Sequence, residues 1–153
     1  MRFVTEVEQA VQKYAKQYGV PVDLVRAIVQ TESSGWTDKR TRYEPGFFKW
    51  LVNRIKLTKA EYTARSTSYG PMQVLGQTAR ELGYTGEFSN LHSIDLGIRY
   101  GCKYLNRLMN KYYSKYGWKG VIAAYNAGSP IKLKSGEYMN QVYVNKVTNN
   151  WKV

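Results

Sequence analysis

The chain has 153 residues, of which 43% are apolar or aromatic, enough for one globular domain with its own core and without metals or disulfides. Because Cys102 is the only cysteine and His92 the only histidine, an intrachain disulfide and a structural zinc cluster are excluded. The formal net charge of +12 predicts attraction to a polyanion, but the basic residues are scattered, so no nucleic-acid partner is expected.

Two helices are predicted at the start of the chain. The first has apolar residues at steps of three and four, at Val4, Val7, Val11, Tyr14 and Tyr18, and it should end near Gly19. Pro21 can start the second helix. Its apolar residues, Val22, Val25, Ile28 and Val29, are dense enough to predict a central, buried element. Glu32 lies at the far end of that helix.

Further helices are predicted along the rest of the chain. Helical spacing continues at Phe47, Phe48, Leu51, Val52 and Ile55, a second turn of helix follows Thr58, and the segment 42–46 is loop-like. A long helix should run from Ser93 to about Tyr116–Gly117, followed by one at 121–126 and one around Val142 and Val147. Without sustained period-two alternation, the expected fold is mainly α.

The first residues and the lone Cys102 and His92 lead to three smaller expectations. Glu6 and Glu8 interrupt the apolar core that a secretory signal needs, and no later stretch approaches the roughly 20 apolar residues that span a bilayer. We therefore expect no export signal and no membrane span. Cys102 is expected to be a buried structural thiol on a helix face. His92 is expected at a loop-to-helix junction, in a surface or capping role.

Glu32 is the principal candidate for chemistry. It follows the apolar run 25–29 and precedes Ser33-Ser34-Gly35, a natural helix end, so its carboxyl can project into a cleft. Burial against apolar neighbours would raise its pKa, as a general acid near neutral pH requires. Taken alone, a glutamate at a helix end is more often solvated.

Three further segments follow Glu32-Ser33 in a recognisable order. They are Gly70-Pro71-Met72-Gln73-Val74, Ala123-Ala124-Tyr125-Asn126-Ala127-Gly128 and Tyr143-Val144-Asn145-Lys146-Val147. The set resembles the soluble lytic transglycosylases, relatives of goose-type lysozyme, whose marks are Glu-Ser, Gly-Leu-Met-Gln, Ala-Tyr-Asn-Ala-Gly and a late Tyr-Val pair. The resemblance covers Val20 to Val147. It implies a lysozyme-like single globular domain over residues 1–153, with a catalytic cleft.

The same resemblance implies the reaction. Glu32 would protonate the glycosidic oxygen between N-acetylmuramic acid and N-acetylglucosamine, and then remove a proton from the muramoyl C6 hydroxyl, which closes a 1,6-anhydro ring. No cofactor is needed. One carboxyl can suffice because the attacking hydroxyl belongs to the substrate, whereas ordinary glycosidases normally use two acids. The implied partner is the peptidoglycan glycan strand, with anionic wall polymers as a second candidate.

Action in the periplasm or cell wall would follow. Without an export signal in this chain, delivery would depend on a virion, on secretion machinery or on a larger protein of which the chain is part.

The resemblance also implies substrate-binding residues. Gly70, Met72 and Gln73 would line the cleft, with glycine bringing the backbone near the sugar and glutamine offering amide hydrogen bonds; for Met72 the alternative is the core. Tyr125 and Asn126 would support the glutamate and the sugar, although helix packing is an equal alternative for Tyr125. The Tyr143 hydroxyl would lie close to Glu32.

Other positions are less specific to the motifs. Ser33 either contacts substrate or caps the helix. Stacking on sugar is considered for Trp36, Tyr69 and Trp118, and Tyr69 is favoured because it adjoins the glycine motif.

Two departures from the family pattern affect the cleft. Pro71 replaces the usual leucine, and roughly twenty extra residues separate Glu32 from Gly70, as surface connections tolerate. We treat about 36–66 as an insertion that could rebuild one cleft wall, which leaves open whether Ser66 or Ser68 matches the polar residue before the motif.

Two other functions stay open. A goose-type muramidase or a chitinase-like hydrolase would use water and a further acid. Between Glu32 and the glycine motif the acids are Asp38, Glu44 and Glu61, each of which could equally be a surface charge. The other function is a basic wall-binding or nucleic-acid-binding module that keeps the fold without turnover.

Overall fold

A computed structural model describes residues 3–151, and this part of the chain contains seven α-helices and one small sheet. The mainly α fold expected from the sequence is confirmed. The helices are α1 (Thr5–Tyr18), α2 (Val22–Ser33), α3 (Pro45–Val52), α4 (Lys59–Arg65), α5 (Gly76–Glu81), α6 (Ile94–Ala127) and α7 (Gln141–Trp151). Two short 3₁₀ turns occupy Ser34–Trp36 and Phe88–His92.

Helix α2 lies at the centre of the core, as its apolar sequence predicts. Leu24, Val25 and Ile28 have no exposed surface, because α1 packs on one side of α2 and α7 on another. Helix α1 ends where predicted: Gly19 has a φ of 66° and its N–H bonds back to the last turn, a conformation that favours glycine. A buried α2 therefore holds its last residues, Glu32 and Ser33, in a fixed place.

Helix α6 is 34 residues long and bends at Gly117. It starts as predicted, with the Ser93 hydroxyl accepting the Leu96 N–H at 3.0 Å. Gly117 has a φ of 69° and a ψ of −170°, outside helical values, and glycine adopts such angles without strain. The predicted break at 116–117 is thus a kink, after which the second half carries Tyr125 and Asn126.

A three-stranded antiparallel sheet was not expected from the sequence. It consists of β1 (Arg42–Tyr43), β2 (Thr67–Tyr69) and β3 (Val74–Leu75), in that spatial order. Ser68 pairs with Arg42 on one side and with Leu75 on the other. Strands of two or three residues are too short to show alternation, so the sequence did not reveal them. The prediction of a loop at 42–46 was wrong, because most of these residues belong to β1 and to the start of α3.

Three local predictions have different outcomes. Cys102 is fully buried, as predicted, and burial raises the pKa of its thiol. His92 lies at the end of a 3₁₀ turn next to α6, but it is half-buried, with its ring centroid 5.7 Å from that of Trp36 and 5.5 Å from that of Tyr69. Aromatic packing therefore replaces the expected surface or capping role. Among residues 3–151, none of the helices is long and apolar enough to cross a membrane.

Candidate active site

Glu32 is presented by a tightly fixed helix end. The next residue, Ser33, is fully buried; its hydroxyl donates to the Pro71 carbonyl at 2.8 Å and accepts the Trp36 N–H at 3.1 Å. These bonds stabilise the turn that ends α2 and join it to the segment 70–74. Ser33 thus has the capping role that the sequence left open, and being fully buried it has no surface to offer a substrate.

The Glu32 carboxyl combines burial with one strong hydrogen bond. Its Oε2 accepts the Tyr143 hydroxyl at 2.8 Å, the contact expected from the late Tyr-Val pair. Burial raises the pKa of Glu32 from 4.5 to about 7, while the Tyr143 hydrogen bond and the charges of Arg42 and Arg40 act in the opposite direction. Because ionisation is disfavoured by desolvation, much of this carboxyl is protonated at neutral pH.

The neighbouring phenols are not competing acids. Burial, followed by the charge of Glu32, raises the pKa of Tyr143 and of Tyr125 well above the usual value. Both therefore keep their protons and act as hydrogen-bond donors near Glu32.

Glu32 opens into a cleft of about 630 Å³, within the roughly 300–1,000 Å³ typical of ligand sites. One wall comes from the segment 42–50, the floor from residues 68–78, and the other wall from α6. The lining includes Glu32, Arg42, Glu44, Phe47, Trp50, Ser68, Gln73, Gln77, Glu81, Tyr104, Arg107, Lys111, Tyr125 and Asn126. Among residues 3–151, His, Cys, Asp and Glu form no group that could hold a metal ion.

The glycine motif forms the floor for a reason different from the expected one. Gly70 has a φ of 84°, and a Cβ there would collide with the Leu91 carbonyl oxygen. The space that glycine leaves is thus filled by the protein's own backbone and not by sugar, which corrects the expectation for Gly70. Met72 is fully buried against Gly101, so it belongs to the core, as the alternative reading held.

Gln73 lines the cleft together with Val74, the next residue of the motif. Its backbone has a φ of 49°, and its Nε2 donates to the carbonyls of Gly70 and Arg40, both at 2.9 Å. Its Oε1 is buried and has no hydrogen-bond partner. A buried acceptor without a partner is costly, so this oxygen is a candidate contact for a ligand N–H or O–H group.

Tyr125 and Asn126 lie together in the cleft on the second half of α6. The Tyr125 hydroxyl donates to the Met72 carbonyl at 2.7 Å, and its ring centroid is 5.2 Å from that of Tyr104. Tyr125 therefore serves both packing and the cleft wall. Asn126 is exposed, and its Oδ1 accepts from Asn140 at 2.9 Å, so its Nδ2 is the group that can donate to a ligand.

The aromatic residues proposed to stack on sugar are not in the cleft. Tyr69 is buried, its hydroxyl donates to the Ala64 carbonyl at 2.9 Å, and its ring stacks on Phe88. The expectation that Tyr69 contacts substrate is thereby corrected: it faces the core because β2 places it beneath the glycine motif. Trp36 is buried beside His92, and Trp118 packs against Trp151 outside the lining.

Several cleft residues were not identified from the sequence. Ser68 lines the cleft, whereas Ser66 is fully buried. Arg42, Phe47 and Trp50 come from the 36–66 segment, and Arg107 and Lys111 come from α6. The i,i+4 spacing of Arg107 and Lys111 indicated a shared helix face, but no local pattern showed what that face meets.

Two further carboxyls line the cleft, and both are near cations. Glu44 Oε1 lies 3.0 Å from Arg42 Nε, and Glu81 Oε1 lies 3.5 Å from Arg107. The remaining acids considered earlier are outside the lining: Asp38 pairs with Arg40, and Glu61 pairs with Arg65. Glu32 is therefore the cleft carboxyl whose hydrogen-bond partner is a neutral hydroxyl.

Residues 9–146 match the family model described as "Transglycosylase SLT domain". The match begins within α1, takes in α2 to α6 and about half of α7, and contains Glu32, the glycine motif, Tyr125, Asn126 and Tyr143. No solved structure matches the chain significantly.

Proposed function

Because the chain belongs to the SLT transglycosylase family, we propose that it is a peptidoglycan lytic transglycosylase. It cleaves the β-1,4 bond between N-acetylmuramic acid and N-acetylglucosamine and leaves a 1,6-anhydro end, with Glu32 as the catalytic residue. The observation that carries this proposal is the state of that carboxyl: it lies in the cleft, and burial raises its pKa to about 7, as a general acid near neutral pH requires.

One carboxyl can perform both proton transfers. Neutral Glu32 donates its proton to the glycosidic oxygen as the bond from that oxygen to the muramoyl C1 breaks, which releases N-acetylglucosamine with a free hydroxyl. The carboxylate then takes the proton of the muramoyl C6 hydroxyl while O6 bonds to C1. The proton is returned to Glu32, so no water is consumed. The nucleophile is already attached to the substrate, which gives it a high effective concentration.

Tyr143 is the positioning residue in this scheme. Its hydroxyl donates to Oε2 of Glu32, which leaves Oε1 to exchange the proton with substrate. Gln73 and Asn126 are proposed to bind sugar through their amide groups, because both line the cleft and Gln73 Oε1 is unpaired. Tyr125, Ser33, Met72 and Gly70 support these groups from behind, through backbone hydrogen bonds and packing.

A muramidase is the second candidate, because Glu44 lines the same cleft as Glu32. Such an enzyme would need Glu44 or Glu81 as the second acid that directs water. Both carboxyls lie beside arginine side chains, which favours a charge-pairing role. The site of action proposed is the periplasm or cell wall, reached through a virion, secretion machinery or a larger protein.

Digestion of purified sacculi tests the reaction and the product together. The soluble muropeptides are separated by liquid chromatography, and their masses are measured by mass spectrometry. A product with an anhydro end is lighter by one water than the same product with a reducing end. We expect anhydro ends, a loss of about 10²–10⁴-fold in turnover for Glu32→Gln, and retained turnover for the matched control Glu44→Gln.

Two other results would reject the proposal. Reducing ends together with inactivity of Glu44→Gln would identify a muramidase. Binding to sacculi without any soluble product from the wild type would identify a wall-binding module.

A further inference from the structure

Helix α3 exposes two aromatic side chains at the cleft. Trp50 is 47% exposed, Phe47 is half-buried, and both line the cleft that contains Glu32. Their ring centroids are 5.3 Å apart with an interplanar angle of 31°. The two rings, called the aromatic pair below, therefore form one adjoining apolar surface along the cleft wall.

The aromatic pair is not needed to anchor α3. Leu51 lies one helical turn after Phe47 and is 1% exposed, so it is buried in the domain. Phe48 lies on the side of the helix away from Trp50, and its ring packs edge-on against those of Tyr43 and Tyr62. These two residues fix α3 on the domain. An indole with nearly half of its surface in water has given up hydrophobic stabilisation, which is expected where a ligand covers it.

The Trp50 ring also has a cationic neighbour. The Arg54 guanidinium lies 4.5 Å from the ring centroid, a cation–π contact that favours this orientation of the indole. Arg54 is itself exposed and follows Trp50 by four residues, just past the end of α3. A restrained aromatic surface loses little side-chain entropy on binding a ligand.

We propose that the aromatic pair is a sugar-binding surface, on which a pyranose ring of the bound glycan strand stacks. This inference rests on the proposed function, because the occupant is the strand that Glu32 cleaves. Continuity supports that occupant: the aromatic pair and Glu32 line one cavity, so a polymer reaching the carboxyl passes along α3. The apolar C–H face of a pyranose complements an aromatic face, whose quadrupole is negative above the ring.

The consequence concerns substrate selection. The aromatic pair belongs to the 36–66 segment, which the sequence marks as an addition to the family pattern. Only glycan strands long enough to reach the aromatic pair would gain the stacking interaction, and these strands would bind more tightly. The segment would thus act as a length selector for the glycan.

Binding and kinetics of paired variants test the inference. In a Glu32→Gln background, titration calorimetry measures the affinity for N-acetylglucosamine tetramers and hexamers, and in the wild-type background kcat and KM are measured on soluble uncrosslinked glycan strands. For Trp50→Ala we expect affinity to fall and KM to rise by about 10- to 100-fold, since an aromatic side chain buries on the order of 100 Å² or more. We expect kcat to stay within about threefold.

Two controls make the result specific. Trp50→Phe keeps an aromatic face and should recover most of the affinity. Tyr113→Ala removes an equally exposed aromatic residue, 46% exposed and outside the cleft lining, and should bind like the unmodified protein. Thermal unfolding of each variant checks that α3 stays folded.

The outcomes separate this inference from the proposed function. Unchanged affinity and unchanged KM in Trp50→Ala overturn the sugar-binding surface, even if the wild type cleaves peptidoglycan. A fall in kcat alone, at constant affinity, also overturns it. Trp50-dependent binding of the hexamer by a chain that releases no muropeptides supports the surface and rejects the catalytic proposal.

Discussion

Replacing Glu32 by glutamine should stabilise the folded protein, and the gain should depend on pH. Burial raises the pKa of Glu32 from 4.5 to about 7, so the folded state disfavours the ionised carboxyl. Its contribution to stability is therefore fully present below pH 4.5 and is lost as pH rises toward 7. One pKa unit is worth about 1.4 kcal/mol, so the loss reaches at most about 3.5 kcal/mol. Glutamine removes this penalty and can still accept the Tyr143 hydrogen bond.

Urea denaturation at a series of pH values measures this effect. The free energy of unfolding of Glu32→Gln should equal that of the wild type near pH 4 and exceed it by about 1–3 kcal/mol at pH 8, the smaller figure allowing for solvent that reaches the cleft. Glu87→Gln, which removes an exposed carboxyl, is the matched control and should show no such trend. A gain that is absent, or that is largest at low pH, would refute the idea that Glu32 is destabilised by burial.

Three further results are expected. The wild-type kcat/KM should decline above about pH 7, because the general acid must be protonated and Glu32 has a pKa of about 7; a rate profile with purified strands measures this. Tyr143→Phe, and separately Arg42→Gln, should move that decline to higher pH, since each partner lowers the pKa of Glu32; a decline that stays in place or moves lower would contradict the contacts. Gly70→Ala should cost at least about 2 kcal/mol in urea denaturation, because alanine at a φ of 84° collides with the Leu91 carbonyl; wild-type stability would contradict the crowding.

Periodicity predicted most of the helices because they are amphipathic and face one core. The ends of α1 and the start of α6 were also predictable, since Gly19 and Ser93 are local signals for a helix end and a helix start. The strands were not, because β1 and β3 have two residues each. Their existence depends on pairing across the chain, which no local pattern records.

In the candidate site, too, some contacts could be anticipated from the sequence and others depended on packing. The approach of Tyr143 to Glu32, 111 residues apart, was anticipated through the order of the motifs. Tyr69 was misplaced because its neighbours in sequence suggested a place in the cleft, whereas β2 turns its ring toward Phe88. Gly70 was expected to let the backbone approach the sugar, but the space that its missing side chain leaves is occupied by the Leu91 carbonyl oxygen. A motif indicates which residues matter, and packing decides what each one touches.

The sequence placed residues 42–50 in a segment expected to be an insertion, but it could not orient them. Helical spacing was noted there for Phe47, Phe48 and Leu51, whereas Trp50 was not singled out. In the structure, Leu51 points inward while Trp50 points into the cleft. Such a helix is apolar on two sides because one side serves the core and the other faces the cleft.

The short sheet ties this wall to the floor of the cleft. β1 pairs with β2, β2 pairs with β3, and the Gln73 amide crosses to the Arg40 carbonyl. Because these hydrogen bonds join the cleft wall to its floor, the cleft takes its shape when the chain folds. A glycan strand therefore binds a preorganised cleft and needs no ordering of the protein around it.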